Sequence, residues 1–379
     1  MPLVVLAPDK FKGSLSAAEV AAALRRGLVS RRPDLDVREL PVADGGEGTV
    51  EAALAAGYAP VAVAATGPTG ERVGTRYARR GSTAVVEMAD VSGLGRLPRD
   101  QSPPGPHEAR TATSRGTGEV IRAAVEAGCD RVVLGIGGSA STDGGAGLVQ
   151  ALGGRLLGAD GAELAPGGAA LSGLVRIDLS GLLPSLAAVE LVVACDVDNP
   201  LTGAAGAAVV YGPQKGAAPA DVEALEAALD HWADVVAQAA GHDRREEPGA
   251  GAAGGVGFAA LALLDAELRP GIDLMLELLD FEAQLVGADL VVTGEGSLDL
   301  QSLYGKAPVG VARAARAQGI TVVAVCGRRS ISDDELAGAG IARVHALVDL
   351  EPDPARSIAH AAALLEVVGA RVAQAMSGG

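Results

Sequence analysis

The chain has little of what several common protein classes require. Its three cysteines, Cys129, Cys195 and Cys326, are widely spaced and lie in or beside apolar runs. They read as small core residues of a reducing compartment and imply no disulfide framework. The five histidines show no metal-ligand spacing and no cysteine pair is close enough for a zinc site, so core or surface roles are the better reading for each. No apolar run reaches the ~20 residues of a membrane span. The amino terminus, MPLVVLAPDK, has no basic n-region, and the expected location is the cytoplasm. With 31 basic against 47 acidic residues, a net charge of -16, and no long Lys/Arg run, nothing supplies the footprint that holds a nucleic-acid backbone. Two catalytic signatures are missing as well: there is no G-x-x-x-x-G-K-[ST] loop and no G-x-S-x-G elbow.

Lysine is the scarcest charged residue. Only Lys10, Lys12, Lys215 and Lys306 occur, and all four sit in short segments rich in Gly, Ser or Pro. A chain that otherwise uses arginine has placed its compact ammonium groups in loops, where they suit a phosphate or a small carboxylate better than a planar guanidinium does.

What is present is abundant apolar and glycine-rich sequence: 379 residues, 49% hydrophobic, 53 of them glycine. At roughly 150 residues per domain this length suggests two domains. Residues 3–7 read as a strand, followed by a helix announced by Ser16 and Glu19 as a capping box. Residues 37–42 and a helix through Leu54 repeat the plan, which argues for a parallel sheet. The same style resumes at 288–293, 307–318, 321–326, 344–348 and a final helix over 355–376. Between these ends the texture changes, with strands expected at 83–87, 130–136 and 189–195, an acidic helix at 221–240 and a Pro-rich loop at 98–107. The expectation is two α/β domains: a parallel-sheet, flavodoxin- or Rossmann-like domain from residues 1–65 and 288–379, and a second α/β domain, 66–287, inserted in it.

Four apolar runs end in an acid within a turn: Asp44, Asp143, Asp196 and Glu295. The carboxyl ends of strands in open α/β sheets are where ligands bind, and the neighbouring glycines let a backbone approach one closely. The segment GIGGSASTDGGAG at 135–147 follows a strand and offers backbone N–H groups, Ser139, Ser141 and Thr142 to an anion. It also meets a permissive dinucleotide pattern with Asp160 downstream, which leaves an NAD-dependent oxidoreductase of a small hydroxy acid as an alternative. Carboxylates suited to Mg²⁺, lysines suited to phosphate and glycine loops are together the parts of a phosphoryl-transfer site.

The ordered motifs APDKFKGSLSA at 7–17, PVADGGEGT at 41–49, GGSASTDGGAG at 137–147, CDVDNPL at 195–201, GPQKG at 212–216, GAAGG at 251–255, GEGSLDLQ at 294–301 and GKAP at 305–308 resemble those of bacterial type I glycerate kinases. Lys10, Ser141 and Ser297 depart from the residues frequent at those places. The resemblance implies ATP- and Mg²⁺-dependent phosphorylation of D-glycerate at its 2-hydroxyl, with 3-phosphoglycerate as the alternative product. It also implies a cleft between the two domains and leaves a homodimer open. Within it Asp196, Asp143 and Lys12 are the catalytic candidates. Asp9, Ser14, Gly45, Gly46, Gly137, Gly138, Ser139, Asp198, Asn199, Lys215, Gln301 and Lys306 are candidates for substrate or phosphate, and Asp44, Glu47, Glu295 and Asp299 for the metal.

Overall fold

The computed structural model describes residues 1–97, 104–303 and 305–376. The chain forms two compact units, the first from Met1–Asp44, Glu51–Gly57 and Pro270–Gly379, the second from Gly45–Val50 and Tyr58–Arg269.

The first unit is built on a five-stranded parallel sheet in the order Arg343–Ala346, Thr321–Arg329, Ala288–Leu298, Leu3–Pro8, Asp36–Glu39. Leu3–Pro8 is buried along its whole length, as a central parallel strand covered on both faces must be, which is why it reads as one apolar run. Val4 and Leu6 pack with Leu24, Leu28, Leu365 and Val368 on one face. Val5 packs with Val291, Val311 and Phe281 on the other. The helix Ala17–Arg31 begins at Ser16 with the capping box intact. It lies close against Ala361–Ala375 because both contact points are glycine: a Cβ on Gly27 would fall 2.1 Å from the Glu366 carbonyl oxygen, and one on Gly369 2.4 Å from that of Leu24. The carboxy-terminal stretch expected as one helix is two, Pro354–Ala359 and Ala361–Ala375, interrupted at His360 with φ −109° and ψ 16°.

The second unit carries a six-stranded sheet in the order Glu267–Arg269, Glu190–Ala194, Arg131–Gly135, Thr83–Glu87, Arg72–Arg80, Ala59–Thr66. The first four strands are parallel and the last two antiparallel.

The boundaries fall elsewhere than at 65/66 and 287/288. Ala59–Thr66 pairs along its full length with Arg72–Arg80, so 67–71 is the turn of a hairpin, closed by Gly67 N–H to the Glu71 carbonyl at 2.7 Å. At the other end, Ile272, Phe281 and Leu285 are core residues of the first unit, which carries residues 270–287 into it. The Pro-rich stretch lies partly outside the described residues, and Pro106 opens the helix Pro106–Thr111.

Candidate functional site

At the carboxyl edge of the first unit's sheet, register brings three predicted acids together. Pro8 pairs with Gly294, Asp9 N–H donates to the Gly294 carbonyl at 2.8 Å, and Val42 N–H donates to that of Pro8 at 3.0 Å. Asp9 therefore follows its strand beside Glu295, which lies not in a turn as expected but within the neighbouring strand Ala288–Leu298, paired with Cys326, and Asp44 follows two residues after Val42. Lys10 lies among them, its Nζ 3.6 Å from Asp9 Oδ1 and 3.7 Å from Asp44 Oδ1. Asp9 is only 5% exposed. Burial pushes its carboxyl up to about 7 against the pull of Lys10, and the charges of Asp44 and Glu295 add to the rise.

Burial also raises Glu295, opposed by the Ser302 hydroxyl and the Lys306 ammonium and reinforced by Asp44 and Asp299. Its Oε1 is buried with no hydrogen-bond partner. Crowded, partly desolvated carboxylates with an unsatisfied oxygen fit a hard cation, which would relieve both the mutual repulsion and the missing contact. Among the described residues no three His, Cys, Asp or Glu form a preformed cage. Mg²⁺ does not need one, since it keeps several waters and takes one or two carboxylates together with substrate phosphates.

The remaining predicted residues of this unit have varied surroundings. Asp299 and Ser302 exchange backbone-to-side-chain hydrogen bonds at 3.1 and 3.3 Å. Lys306 is the N-cap residue of Ala307–Ala317. Lys12 is exposed. The Ser14 hydroxyl donates to the Ile358 carbonyl at 3.0 Å, so it pins a loop instead of awaiting a ligand. The Gln301 side chain lies outside the described residues.

The raised Asp9 has a consequence for stability. A carboxyl whose folded pKa is about 7 against a reference of 3.8 holds its proton in the native state after the unfolded chain has released it, so its contribution falls as pH rises between those values. Asp9→Asn is expected to melt above the parent at pH 8 and together with it near pH 4. Equal melting temperatures at both pH values would show that the site carries no such cost.

In the second unit, Glu87, Gly135 and Ala194 stand level on three adjacent parallel strands. The 136–147 loop and the Cys195–Asp196 turn consequently leave the sheet side by side. Gly45, Gly46 and Gly137 do come together, through contact with one another. Gly137 N–H donates to the Gly45 carbonyl at 3.3 Å. A Cβ on Gly135 would sit 2.5 Å from the Gly45 carbonyl oxygen, and one on Gly137 2.6 Å from the Gly46 Cα. These glycines permit two backbones to touch. Gly138 stays exposed, with φ +73°. The motif at 251–255 has a similar explanation: Ala253, Gly254 and Gly255 are all left-handed, and the Gly254 carbonyl accepts from Gly144 N–H at 2.9 Å.

Asp143 is fully buried and fully engaged. Its Oδ2 accepts from Ser114 N–H at 2.8 Å, Ser114 Oγ at 2.9 Å, Gly147 N–H at 3.3 Å and Thr113 Oγ1 at 3.4 Å, and its Oδ1 from Gly145 N–H at 3.2 Å. A carboxylate holding five donors out of water is poorly placed to take a substrate proton; it shapes the loop. Asn199 is similarly committed, with its amide donating to the Ala205 carbonyl at 2.8 Å and accepting from Tyr211 OH at 2.6 Å. Asp196, Asp198 and Glu47 are exposed. Lys215 is 2% exposed and donates to Ser139 Oγ at 2.8 Å and the Ser141 carbonyl at 2.5 Å.

Sequence reasoning passed over Glu87. This buried residue ends its strand and accepts from Gly48 N–H at 3.2 Å and Val50 N–H at 3.0 Å, fixing the GGEGT turn. Its one signal was an acid closing an apolar run, the same signal that flagged Asp44 and Asp196.

Buried carboxylates, lysines and glycine turns on the carboxyl edges of parallel sheets suit an α/β phosphotransferase that does not use a Walker-type loop. Comparison with known proteins gives the family. The model of the glycerate kinase family matches residues 4–377. The chain is 50% identical over 334 residues to a glycerate kinase of Bacillus subtilis, covering 87% of this chain and 86% of that one. It is 46% identical, with the same coverage, to a glycerate 2-kinase of Escherichia coli. A crystal structure assigned as a glycerate kinase 2 from Salmonella typhimurium superposes with a TM-score of 0.85 at 43% identity, over 99% of this chain and 98% of that one. The chain belongs to the glycerate kinase family, and it is a kinase. No described helix is long and apolar enough to cross a membrane.

Proposed function

We propose that the protein transfers the γ-phosphoryl group of ATP to the 2-hydroxyl of D-glycerate, giving 2-phosphoglycerate and ADP. The observation that carries the choice of carbon is the 46% identity to a relative named for that regiochemistry. In the reaction a bond forms between the glycerate C2 oxygen and the γ-phosphorus, the bond from that phosphorus to the β,γ-bridging oxygen breaks, and the hydroxyl proton is lost. Asp196 is the group that orients the hydroxyl and takes this proton, since it is exposed at the end of a central parallel strand while Asp143 is saturated. Lys12 and Lys306 neutralise phosphate or the glycerate carboxylate.

Asp44, Glu295 and Asp299 would hold Mg²⁺. The ion would supply charge neutralisation on the phosphates, the main need of a reaction that is largely positioning. Coupled ADP release from the purified protein with Mg²⁺, ATP and either D- or L-glycerate tests the reading. Turnover confined to D-glycerate supports it. Absence of turnover with both enantiomers, or hydride transfer to NAD⁺ from a hydroxy acid, would overturn it.

A further inference from the structure

We infer that Lys215 is a positioning residue for phosphoryl transfer: by holding the Ser139 hydroxyl and the Ser141 carbonyl, it fixes the 137–142 segment in addition to that segment's backbone ties to residues 92–94. The inference rests on the kinase reading above for its catalytic consequence, though not for its structural one.

Lys215 closes the short helical turn Pro213–Lys215, and that turn is itself immobilised. Lys215 N–H donates to the Gly212 carbonyl at 3.0 Å. Gly216 follows with φ +97°, where a Cβ would lie 2.3 Å from the Pro104 carbonyl oxygen. From this fixed base the side chain runs inward to loop atoms 76 and 74 residues away in sequence. The segment is also tied through its backbone: Leu94 N–H donates to the Gly138 carbonyl at 2.9 Å and Ala140 N–H to that of Ser92 at 2.9 Å. The segment is thus held both by the Lys215 side chain and by the backbone of residues 92–94. Asp143 fixes the continuation of the same loop through Ser114, Gly145 and Gly147.

The expense of this arrangement points to a purpose beyond packing. Both hydrogen-bonded oxygens are uncharged, and burial drives the ammonium down to about 7, countered by the charge of Asp143. A methionine would fill the same volume without the desolvation penalty of a cation. What methionine cannot do is hold a hydroxyl and a carbonyl at fixed separation, and those two groups follow directly on Gly138, which remains exposed. At 2% exposure Lys215 is not itself presented to a ligand, so it acts through Ser139 and Ser141.

Lys215→Met, Ser139→Ala and the double variant test this in the full-length protein. Lys215→Met is expected to lower kcat by about 100-fold, the scale of loss from misplacing reacting groups by an ångström. The KM values for ATP and glycerate should change less than about three-fold, since no ground-state contact is removed. The double variant should be within about two-fold of Lys215→Met alone, because the two groups act as one unit.

Amide hydrogen exchange supplies a readout independent of turnover: residues 137–142 should exchange at least about ten-fold faster in Lys215→Met while Arg131–Gly135 keeps its protection. Unchanged exchange in that segment would overturn the inference whatever the activity. In an active parent, so would a loss lying wholly in KM or losses that multiply in the double variant. A parent inactive on glycerate with loop exchange still raised in Lys215→Met would sink the kinase reading and leave the clamp standing. Should Lys215→Met fail to fold, Ser139→Ala carries the exchange test, with a smaller rise in the same segment expected and none contradicting the clamp.

Discussion

Replacing Asp196 by Asn is expected to lower kcat by about 10² to 10⁴, the usual worth of general-base assistance, while leaving the protein as stable as the parent. The two halves of this expectation have one origin. Asp196 is exposed just beyond Glu190–Ala194, a buried strand whose last residue stands level with Gly135, so the carboxylate has a rigid base and an accessible head. Substitution of an exposed side chain usually shifts stability by no more than about 0.5 kcal/mol, so denaturation should register little change. Asn keeps the shape and one acceptor but cannot take a proton. Steady-state kinetics beside a melting curve decide the matter: a folded variant within about three-fold of the parent kcat removes Asp196 from the role.

Asp143→Ala should show the reverse, a collapse of stability. The substitution strips five contacts from a fully buried carboxylate and strands the N–H groups of Ser114, Gly145 and Gly147. It also unsettles the Ser114 hydroxyl, which accepts from Leu148 N–H at 3.0 Å and relays the network to the next helix. Each buried donor left unpaired costs about 1–3 kcal/mol, so a loss of at least about 3 kcal/mol is expected. Asp143→Asn retains one acceptor and should fall between parent and Ala. Chemical denaturation reads the effect. An Ala variant unfolding at the parent's midpoint, yet catalytically dead, would restore Asp143 as a base.

The contrast between these aspartates shows where sequence reading succeeds and where it stops. Both follow apolar runs and both sit beside glycine or turn residues, so pattern alone ranks them together. Burial separates them, and burial depends on Ser114 and Thr113, about thirty residues distant. Lys215 and Ser139 are a similar case: composition marked the lysine as unusual, but only the fold turns it inward. Elements whose signal is local were legible. The Ser16 cap, the strand Thr83–Glu87 and the helix Ala307–Ala317 lie where periodicity put them, within a residue. The hairpin Ala59–Thr66 with Arg72–Arg80 was not read. Its alternating, half-exposed strands lack the continuous apolar runs that betray buried parallel strands. The break at His360 was missed because no proline or glycine marks it.

The regiochemistry of the reaction is fixed by which oxygen receives the phosphoryl group. Phosphorus–proton correlation on the product formed by the purified protein from D-glycerate, Mg²⁺ and ATP measures that directly. Coupling of the new phosphorus to the single proton on carbon 2 is the predicted result. Coupling to the methylene protons of carbon 3 would contradict it.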